Sequence, residues 1–399
     1  MNPPNPLDKK ELIKSASYCL SCGQCNQVCP THEIGLFTPM AVTHDLQAGH
    51  IEHAITDRHI FNCLCCNKCN TLCPMHTNKT GVDFANIIRN LREYAFKNKL
   101  ELKEKAPSPG HTPILHEFPE NSISDSELPV VDVLQYFAKE PKLKIAKQGE
   151  IAYFVGCLPV LNEKYGEFGI DYDQIPKAVV KILNKLQITP VVLNMKCCGH
   201  DDLWAGRRDI FDALAKYNLA QFKAAGVKVI ITACAEGYRT WKFDYPKLDP
   251  SYKFEVYHIA QYLDKVQAWK SLDFKSISKT KITYQDPCRL GRVGDGVYSP
   301  PRQLISKLPN VQIVEMESNK ENALCCGCGI YLPENPEVWK MWSTRLKEAQ
   351  VTKADYLLTA CPKCATHYNY TILNNPDEKA TQNVPRVMDW AVFFANYLV

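Results

Sequence analysis

Two runs of cysteines near the start of the chain carry the clearest chemistry. Each run has the spacing Cys-x2-Cys-x2-Cys-x3-Cys-Pro, beginning at Cys19 and at Cys63. Three closely spaced thiolates can wrap a tight loop over three irons of a 4Fe–4S cube, while the fourth, before proline, points to a second cube. We therefore predict two cubane clusters that exchange their fourth ligands. The predicted sets are Cys19, Cys22, Cys25 and Cys73 for one cluster, and Cys63, Cys66, Cys69 and Cys29 for the other.

A second cysteine pattern occurs twice in the later part of the chain. Each copy has one cysteine, then Cys-Cys-Gly, then a further cysteine, and equivalent cysteines lie 127 to 131 residues apart. This repetition indicates an internal duplication. The copies differ at one position, because the first has Gly237 where the second has Cys364. The residues of the two copies are Cys157, Cys197, Cys198 and Cys234, and then Cys288, Cys325, Cys326, Cys361 and Cys364.

The elements that must position the first runs are mainly helical. Residues 1–100 form the first predicted domain, and residues 101–149 have the turn-forming composition of a connector. The helical stretches are predicted at 38–50, 52–61 and 82–99. Cys65 is surplus to the cluster pattern, and we interpret it as a packed or hydrogen-bonding thiol.

From residue 150 short apolar strands alternate with helices in both copies. The copies are predicted to form two modules, at 150–272 and 273–399, each closed by a helix at 258–267 or 385–397. Alternation of this kind predicts parallel sheets, whose sites lie outside the carboxyl ends of the strands. The fold class is therefore α+β multidomain, with a mostly helical two-cluster ferredoxin-like domain followed by two duplicated α/β modules.

Composition narrows the class of protein further. The chain has 399 residues, of which 45% are hydrophobic and 23% charged, with a net charge of +4 and no dense basic tract that would favour nucleic acid. No apolar run is long enough to span a bilayer, and the polar N-terminus has no signal-peptide core.

The 19 clustered cysteines of the chain indicate metal or redox chemistry in a reducing compartment, which predicts a cytoplasmic protein that reaches the inner membrane face only through a partner. Zinc knuckles, the alternative for the first runs, usually use separated cysteine pairs.

With both motifs in place, the chain resembles the catalytic subunit of heterodisulfide reductase in its fused ferredoxin-plus-catalytic form. The similar stretches are Phe154-Val-Gly-Cys157, Tyr284-Gln-Asp-Pro-Cys-Arg-Leu-Gly-Arg292, Glu321-Asn-Ala-Leu-Cys-Cys-Gly327 and Thr359-Ala-Cys-Pro-Lys-Cys364. Proteins of this architecture include iron–sulfur subunits of glycolate and lactate oxidases and of electron-bifurcating complexes. The resemblance implies a noncubane 4Fe–4S cluster in the second copy. Its ligands and catalytic residues would be Cys288, Cys325, Cys326, Cys361 and Cys364.

For the first copy the resemblance leaves several cofactors open. Four thiolates without a fifth suit a cubane cluster, a modified noncubane cluster or a zinc ion, and an empty relic is the remaining alternative. The family's glycine-rich stretch after the second Cys-Cys-Gly reads Cys328-Gly-Ile-Tyr331 here. Cys328 is either an extra ligand or a thiol that faces the site.

The resemblance implies an iron–sulfur oxidoreductase that works as part of a larger complex. Electrons would pass through two cubanes to the second copy, where a disulfide or thiol would react. The alternative is an electron relay without catalysis in a larger anaerobic redox complex, the candidate partners being a flavoprotein, a cytochrome b-type or a hydrogenase-type component of a hetero-oligomer. A cluster-free thioredoxin-like dithiol at Cys361 and Cys364 is a third hypothesis.

Charged residues beside the cysteines have two interpretations each. Arg289 and Arg292 are interpreted as solvated turn residues, with steering of an anionic thiol as the alternative. Lys363, at a helix N-terminus with Cys361, is expected to favour the thiolate there. His200 is interpreted as a loop hydrogen-bonding residue.

Overall fold

The structure is a computed structural model that describes residues 9–76, 81–101, 130–328 and 335–399. Most of the predicted connector, residues 102–129, lies outside the described residues. So does 329–331, the part of the predicted altered loop that follows Cys328. Among the described helices, none is both long and apolar enough to cross a membrane.

The two cysteine runs are embedded in a group of packed helices. Helix α1 packs against α4 and α6, and its buried Leu12 joins Val42 and Leu91 in their core. The Asp83 side chain accepts a hydrogen bond from Asn86 N and so begins α6. The predicted helix at 52–61 is shorter than expected and ends at Thr56. The helices are α1 Lys9–Ser17, α2 Gln24–Gln27, α3 Pro30–Glu33, α4 Pro39–Gln47, α5 Ile51–Thr56 and α6 Phe84–Lys97.

Two parallel sheets follow, one in each copy of the later pattern. We call residues 150–272 module 1 and residues 273–399 module 2. The sheet of module 1 has the order β1-β2-β3, and the sheet of module 2 has the order β5-β4-β6-β7. The strands are β1 Ile151–Phe154, β2 Val229–Thr232, β3 Glu255–His258, β4 Thr280–Gln285, β5 Val311–Ile313, β6 Tyr356–Thr359 and β7 Arg386–Asp389.

The strand registers repeat the offsets of the cysteines. In module 1 Ile151 pairs with Val229, and in module 2 the residue 131 positions later, Ile282, pairs with Tyr356. Module 1 has only a bridge at Val191 where module 2 has the full strand β5. The predicted strand at 189–193 is therefore reduced to this bridge, and the two sheets otherwise share one topology.

The closing element of each module differs from the prediction. Residues 255–258 and 386–389 form the strands β3 and β7, and only then do the last helices begin. His258 and Asp389 end these strands and cap the helices, each accepting a backbone N–H through its side chain. The prediction of a single helix at 258–267 and at 385–397 was therefore incomplete. In each stretch the chain first completes a strand, and the helix begins only after that strand ends.

The remaining helices cover the sheets and join the modules. The last helix of module 2, at 390–395, packs on the helix at 174–185 of module 1, and the last helix of module 1, at 259–265, packs on the helix at 299–305 of module 2. This reciprocal packing brings the two cysteine-bearing sheet edges towards each other. The helices are α7 Gln135–Ala138, α8 Leu158–Tyr165, α9 Gln174–Lys185, α10 His200–Ala205, α11 Arg208–Ala224, α12 Ala235–Arg239, α13 Ile259–Lys265, α14 Ser299–Ile305, α15 Pro336–Val351, α16 Pro362–Asn374 and α17 Trp390–Ala395.

Candidate metal centres

The first predicted cluster set lies around one cavity, which we call the outer site. Gly23, at a φ of 75°, begins α2 and turns the chain so that the thiols face inward. The Thr43 hydroxyl donates to Cys19 Sγ at 3.4 Å, and burial raises the pKa of Cys25 to about 11. Cys22 is exposed, so this site reaches the protein surface. The cysteines that line the cavity are the predicted set, Cys19, Cys22, Cys25 and Cys73, and one cysteine of the other predicted set, Cys69.

The second predicted set lines a neighbouring cavity, which we call the inner site. Its lining is mainly apolar, and it contains the surplus Cys65 as well as the four predicted ligands. Cys65 N donates to Cys63 Sγ at 3.4 Å, just as Ser21 N donates to Cys19 Sγ in the first run. The donor Ser21 and Cys65 both have left-handed backbones, which the tight loop requires. The predicted ligands are Cys29, Cys63, Cys66 and Cys69, of which Cys69 lines both cavities.

The donor sets of both sites fit iron–sulfur clusters. Each set offers four unpaired thiols around one cavity, with the fourth contributed by the other run. Burial raises the pKa of Cys69 and of Cys29, so these thiols stay protonated until a metal displaces the proton. The exchanged fourth ligands expected from the spacing are thus brought to the right cavities.

The inner site touches module 2 directly. The thiols of Cys66 and Cys325 are side-chain partners, and this contact lowers the pKa of Cys66 to about 5. Cys288 is a second thiol partner of Cys325. A ligand of the predicted inner cluster and a ligand of the predicted module 2 cluster are therefore in contact without an intervening side chain.

All five predicted cysteines of module 2 belong to one contiguous group. Cys326 has both Cys325 and Cys364 as thiol partners, and these contacts hold its pKa well below the ordinary value. Cys361, where α16 begins, is also a partner of Cys364. Cys288 completes the group through Cys325. Three of the five, Cys326, Cys361 and Cys364, are at most 6% exposed, so bulk water is largely excluded.

In module 1, direct thiol partners link three of the four cysteines. Cys197 donates to Cys157, and Cys198 is its other thiol partner. Cys234 instead donates to Cys361 of module 2, the residue at its own equivalent position. A Cβ at Gly237 would lie 3.3 Å from Thr232 Oγ1 and 3.7 Å from Cys234 Cβ. There is thus nearly room for the missing side chain.

A buried ion cluster crosses between the modules beside these thiols. Lys363 Nζ lies 2.6 Å from Asp201 and 3.4 Å from Glu236. Burial alone would lower the pKa of Lys363, but the two carboxylates raise it well above its ordinary value. Lys363 is therefore not the free cation at the helix N-terminus that the sequence predicted. Its charge is neutralised from module 1.

His200 completes this cluster as a hydrogen-bonding residue. Its Nε2 accepts from Arg289 at 2.9 Å, and its Nδ1 faces Thr240 Oγ1 at 3.2 Å. Burial holds the pKa of His200 well below its ordinary value. The side chains of His200, Asp201 and Glu236 are close enough to surround a cation. The ammonium of Lys363 and the guanidinium of Arg289 already occupy those positions.

The arginines after Cys288 both bind backbone carbonyls of the inner site. Arg289 is 7% exposed and donates to the carbonyl of Cys65. Arg292 donates to the carbonyl of Cys66 at 3.0 Å. Both therefore bind the loop of the inner site, so their interpretation as solvated turn residues was wrong, while the steering of an anionic thiol stays a prediction.

Sequence reasoning missed Arg92, which holds the same loop from the other side. Its guanidinium donates to the carbonyls of Cys63 at 2.7 Å and Ile60 at 2.8 Å, and to Trp204 O in module 1 at 2.8 Å. The signal was present in the sequence. Arg92 lies four residues after Ile88 on the apolar face of α6, where a charged residue needs buried partners.

Comparison with known proteins agrees with this arrangement. The chain matches the model of the cysteine-rich CCG domain twice, at residues 151–238 and 282–369, and that of the 4Fe-4S dicluster domain at residues 14–77. It is 38% identical to one of the subunits of the dihydromethanophenazine:CoB–CoM heterodisulfide reductase of Methanosarcina barkeri, over 56% of this chain and 54% of that protein. It is 31% identical to the EtfAB:quinone oxidoreductase of Syntrophomonas wolfei over 55% of this chain and 31% of that protein.

A third relative is one of the subunits of the fumarate reductase (CoM/CoB) of Methanothermobacter marburgensis, with 29% identity over 54% of this chain and 41% of that protein. The match spans about half the length of the curated relatives, or less. All three relatives are named as oxidoreductases or their subunits. The chain therefore belongs among iron–sulfur proteins that join a 4Fe-4S dicluster domain to two cysteine-rich CCG domains, and over about half of its length it is similar to this heterodisulfide reductase subunit of Methanosarcina.

Proposed function

We propose that the chain is the redox component of a heterodisulfide reductase-like complex, passing electrons from its dicluster domain to module 2 for thiol or disulfide chemistry. The contact between Cys66 and Cys325 carries this proposal, because it makes the thiols of the inner site continuous with those of module 2. Cys69, which lines both cavities, connects the outer and inner sites in the same way. The exposed Cys22 marks the outer site as the point of electron entry.

We propose that the cysteines hold four metal groups. The outer and inner sets would bind 4Fe–4S cubanes, and the five module 2 cysteines would bind a noncubane 4Fe–4S cluster. Module 1, with Gly237 in place of the fifth cysteine, would hold a further cluster or zinc. When bound, such groups supply one-electron transfer and an iron site for sulfur. The chain itself supplies thiolate ligands and a nearly dry cavity, and Lys363, two residues after Cys361, holds a proton at Nζ.

The second candidate is a relay that passes electrons on without chemistry at module 2. The burial of Arg289 favours it, since that guanidinium binds backbone and is not available to a substrate anion. In both cases the partners would be further redox subunits of a hetero-oligomer, of flavoprotein, cytochrome b-type or hydrogenase-type. Affinity purification from the anaerobic source would identify them.

Metal analysis with EPR during thiol addition separates the two functions. A paramagnetic signal of the oxidised protein that develops only with thiol supports catalysis, and it should vanish in Cys364→Gly, which gives module 2 the ligand pattern of module 1. Cys65→Ser is the matched control, because it removes a buried thiol outside the predicted ligand sets. EPR signals that do not change when thiol is added support the relay. If the wild-type protein, purified anaerobically, contained no iron, both functions would be contradicted.

A further inference from the structure

We infer that Arg289 and Arg292 form an electrostatic junction that fixes the inner site against module 2 and sets the reduction potential of the group held there. The inference rests on the proposed function. Both arginines follow Cys288 closely in sequence, yet both reach the cysteine run of the dicluster domain. They are positioning residues, since their contacts are to backbone carbonyls of that run.

Arg289 joins three separate segments at one side chain. Its Nη1 donates to the carbonyl of Cys65, and its Nε donates to His200 Nε2 at 2.9 Å. Its guanidinium carbon lies 4.0 Å from the ring centroid of Trp204, which is on α10, the helix that begins at His200. The side chain thus connects the Cys288 loop with the inner site and with the Cys-Cys-Gly loop of module 1.

Arg292 connects the inner site to the second Cys-Cys-Gly loop. Its Nε donates to the carbonyl of Cys66, and its Nη1 donates to the carbonyls of Ala323 at 2.6 Å and Glu321 at 3.1 Å. Those residues lead directly into Cys325. The guanidinium therefore holds the backbones on both sides of the Cys66–Cys325 contact.

The groups that face these arginines are mainly cysteine side chains. Among the described residues, neither guanidinium donates a hydrogen bond to a carboxylate, and Glu236 is the carboxyl group near Arg289; Cys288 lies close to both guanidinium groups, with Cys65 near Arg289 and Cys66 near Arg292. A buried cation without an opposite charge is unfavourable, so these residues suit a site whose thiolates are ionised by metal. A fixed positive charge beside an iron–sulfur group favours its more negative, reduced state and so raises its potential.

This role predicts a potential shift that a purely structural role would not cause. Second-sphere changes at metal sites commonly alter an equilibrium by about tenfold. For a one-electron couple, a tenfold change is about 59 mV. In Arg292→Met we therefore expect one of the two dicluster potentials to fall by about 60 mV and the other to stay unchanged. Arg289→Met should lower the same potential.

The test is an anaerobic redox titration of the full chain, followed by EPR, with iron content measured for every variant. Arg292→Lys and Arg289→Lys should recover most of the potential, because they restore the charge without the planar fork. Arg208→Met is the control for charge loss, since Arg208 pairs with Asp212 on α11. If the Met variants do not assemble their clusters, the Lys variants are compared with wild type for a smaller shift of the same sign.

Unchanged potentials in variants with full iron content would overturn the inference, as would an equal shift in Arg208→Met. Failure of the proposed function is distinguishable, because wild type would then show no thiol-dependent signal or no iron, whereas failure of this inference leaves those wild-type results in place and the potentials of the variants unchanged. A hydrogen-exchange measurement gives an independent readout. Amides 64–67 should exchange faster in Arg289→Met and Arg292→Met than in Arg208→Met, and equal exchange would contradict the positioning role.

Discussion

Replacing Lys363 by Met removes the only ammonium between two partly buried carboxylates of module 1, as far as the described residues extend. Met keeps the length and apolar stem of lysine but leaves Asp201, 2.6 Å from Nζ, and Glu236, 3.4 Å from Nζ, without their cation. Breaking a buried ion pair typically costs about 3–5 kcal/mol. Because the two carboxylate side chains remain 21% and 17% exposed, we expect the lower end, about 3 kcal/mol.

The loss should depend on pH in a definite direction. Burial already raises the pKa of Glu236 well above its ordinary value, and removal of the ammonium raises it further. A carboxyl group with a raised folded-state pKa contributes stability at low pH and loses it as the pH rises. The variant should therefore be nearer to wild type at pH 6 than at pH 8.

Urea unfolding under argon, followed by tryptophan fluorescence at both pH values, measures this difference. Samples are compared at equal iron content, because Lys363 lies between two predicted ligands. The triple variant Asp201→Asn, Glu236→Gln, Lys363→Met removes the whole ion cluster and should recover to within about 1 kcal/mol of wild type, since replacing all partners of a buried pair is often nearly neutral. A single variant within about 1 kcal/mol of wild type at pH 8, or a triple variant as unstable as the single one, would refute the reasoning.

Two further substitutions test the packing between domains and the interior of module 2. Gly206→Ala should destabilise the protein by about 3 kcal/mol, since its φ is +93° and a Cβ would lie 2.5 Å from the backbone of Arg92; Gly226→Ala, at φ +77° with open space, should cost only about 1 kcal/mol in the same urea unfolding. Burial raises the pKa of Asp389 to about 7, so in this pH range the folded state holds a proton that the unfolded state releases. Between about pH 5.5 and 7 the free energy of unfolding of wild type should therefore fall by about 2 kcal/mol relative to that of Asp389→Asn. A constant difference between the two proteins over that range would contradict this assignment, and an equal loss in both glycine variants would contradict the steric one.

The cysteine spacing predicted more of the site than the hydrophobic pattern predicted of the fold. The predicted exchange of Cys29 and Cys73 between the runs was argued from the spacing within each run, and each of these cysteines lines the cavity to which the prediction assigns it. The strand β3 was missed because its four residues include the exposed Glu255 and run straight into a helix. Arg289 was misread because its partner Cys65 is 224 residues away, and local sequence carries no signal for that contact.

The differences between the copies have a common physical cause. Two equivalent loops meet where Cys234 touches Cys361, and two residues further along Glu236 faces Lys363. If the copies had the same residue there, two residues of like charge would face each other. Their electrostatic repulsion would be relieved only if one of them changed its protonation state. Opposite charges resolve this conflict and join the modules. The next residue, Gly237, has no thiol. Module 1 therefore has no fifth cysteine at this contact, where Cys234 already contacts Cys361 of module 2. The duplication therefore produces one asymmetric pair of sites, in which module 2 gathers the thiols and module 1 contributes the counter-charge.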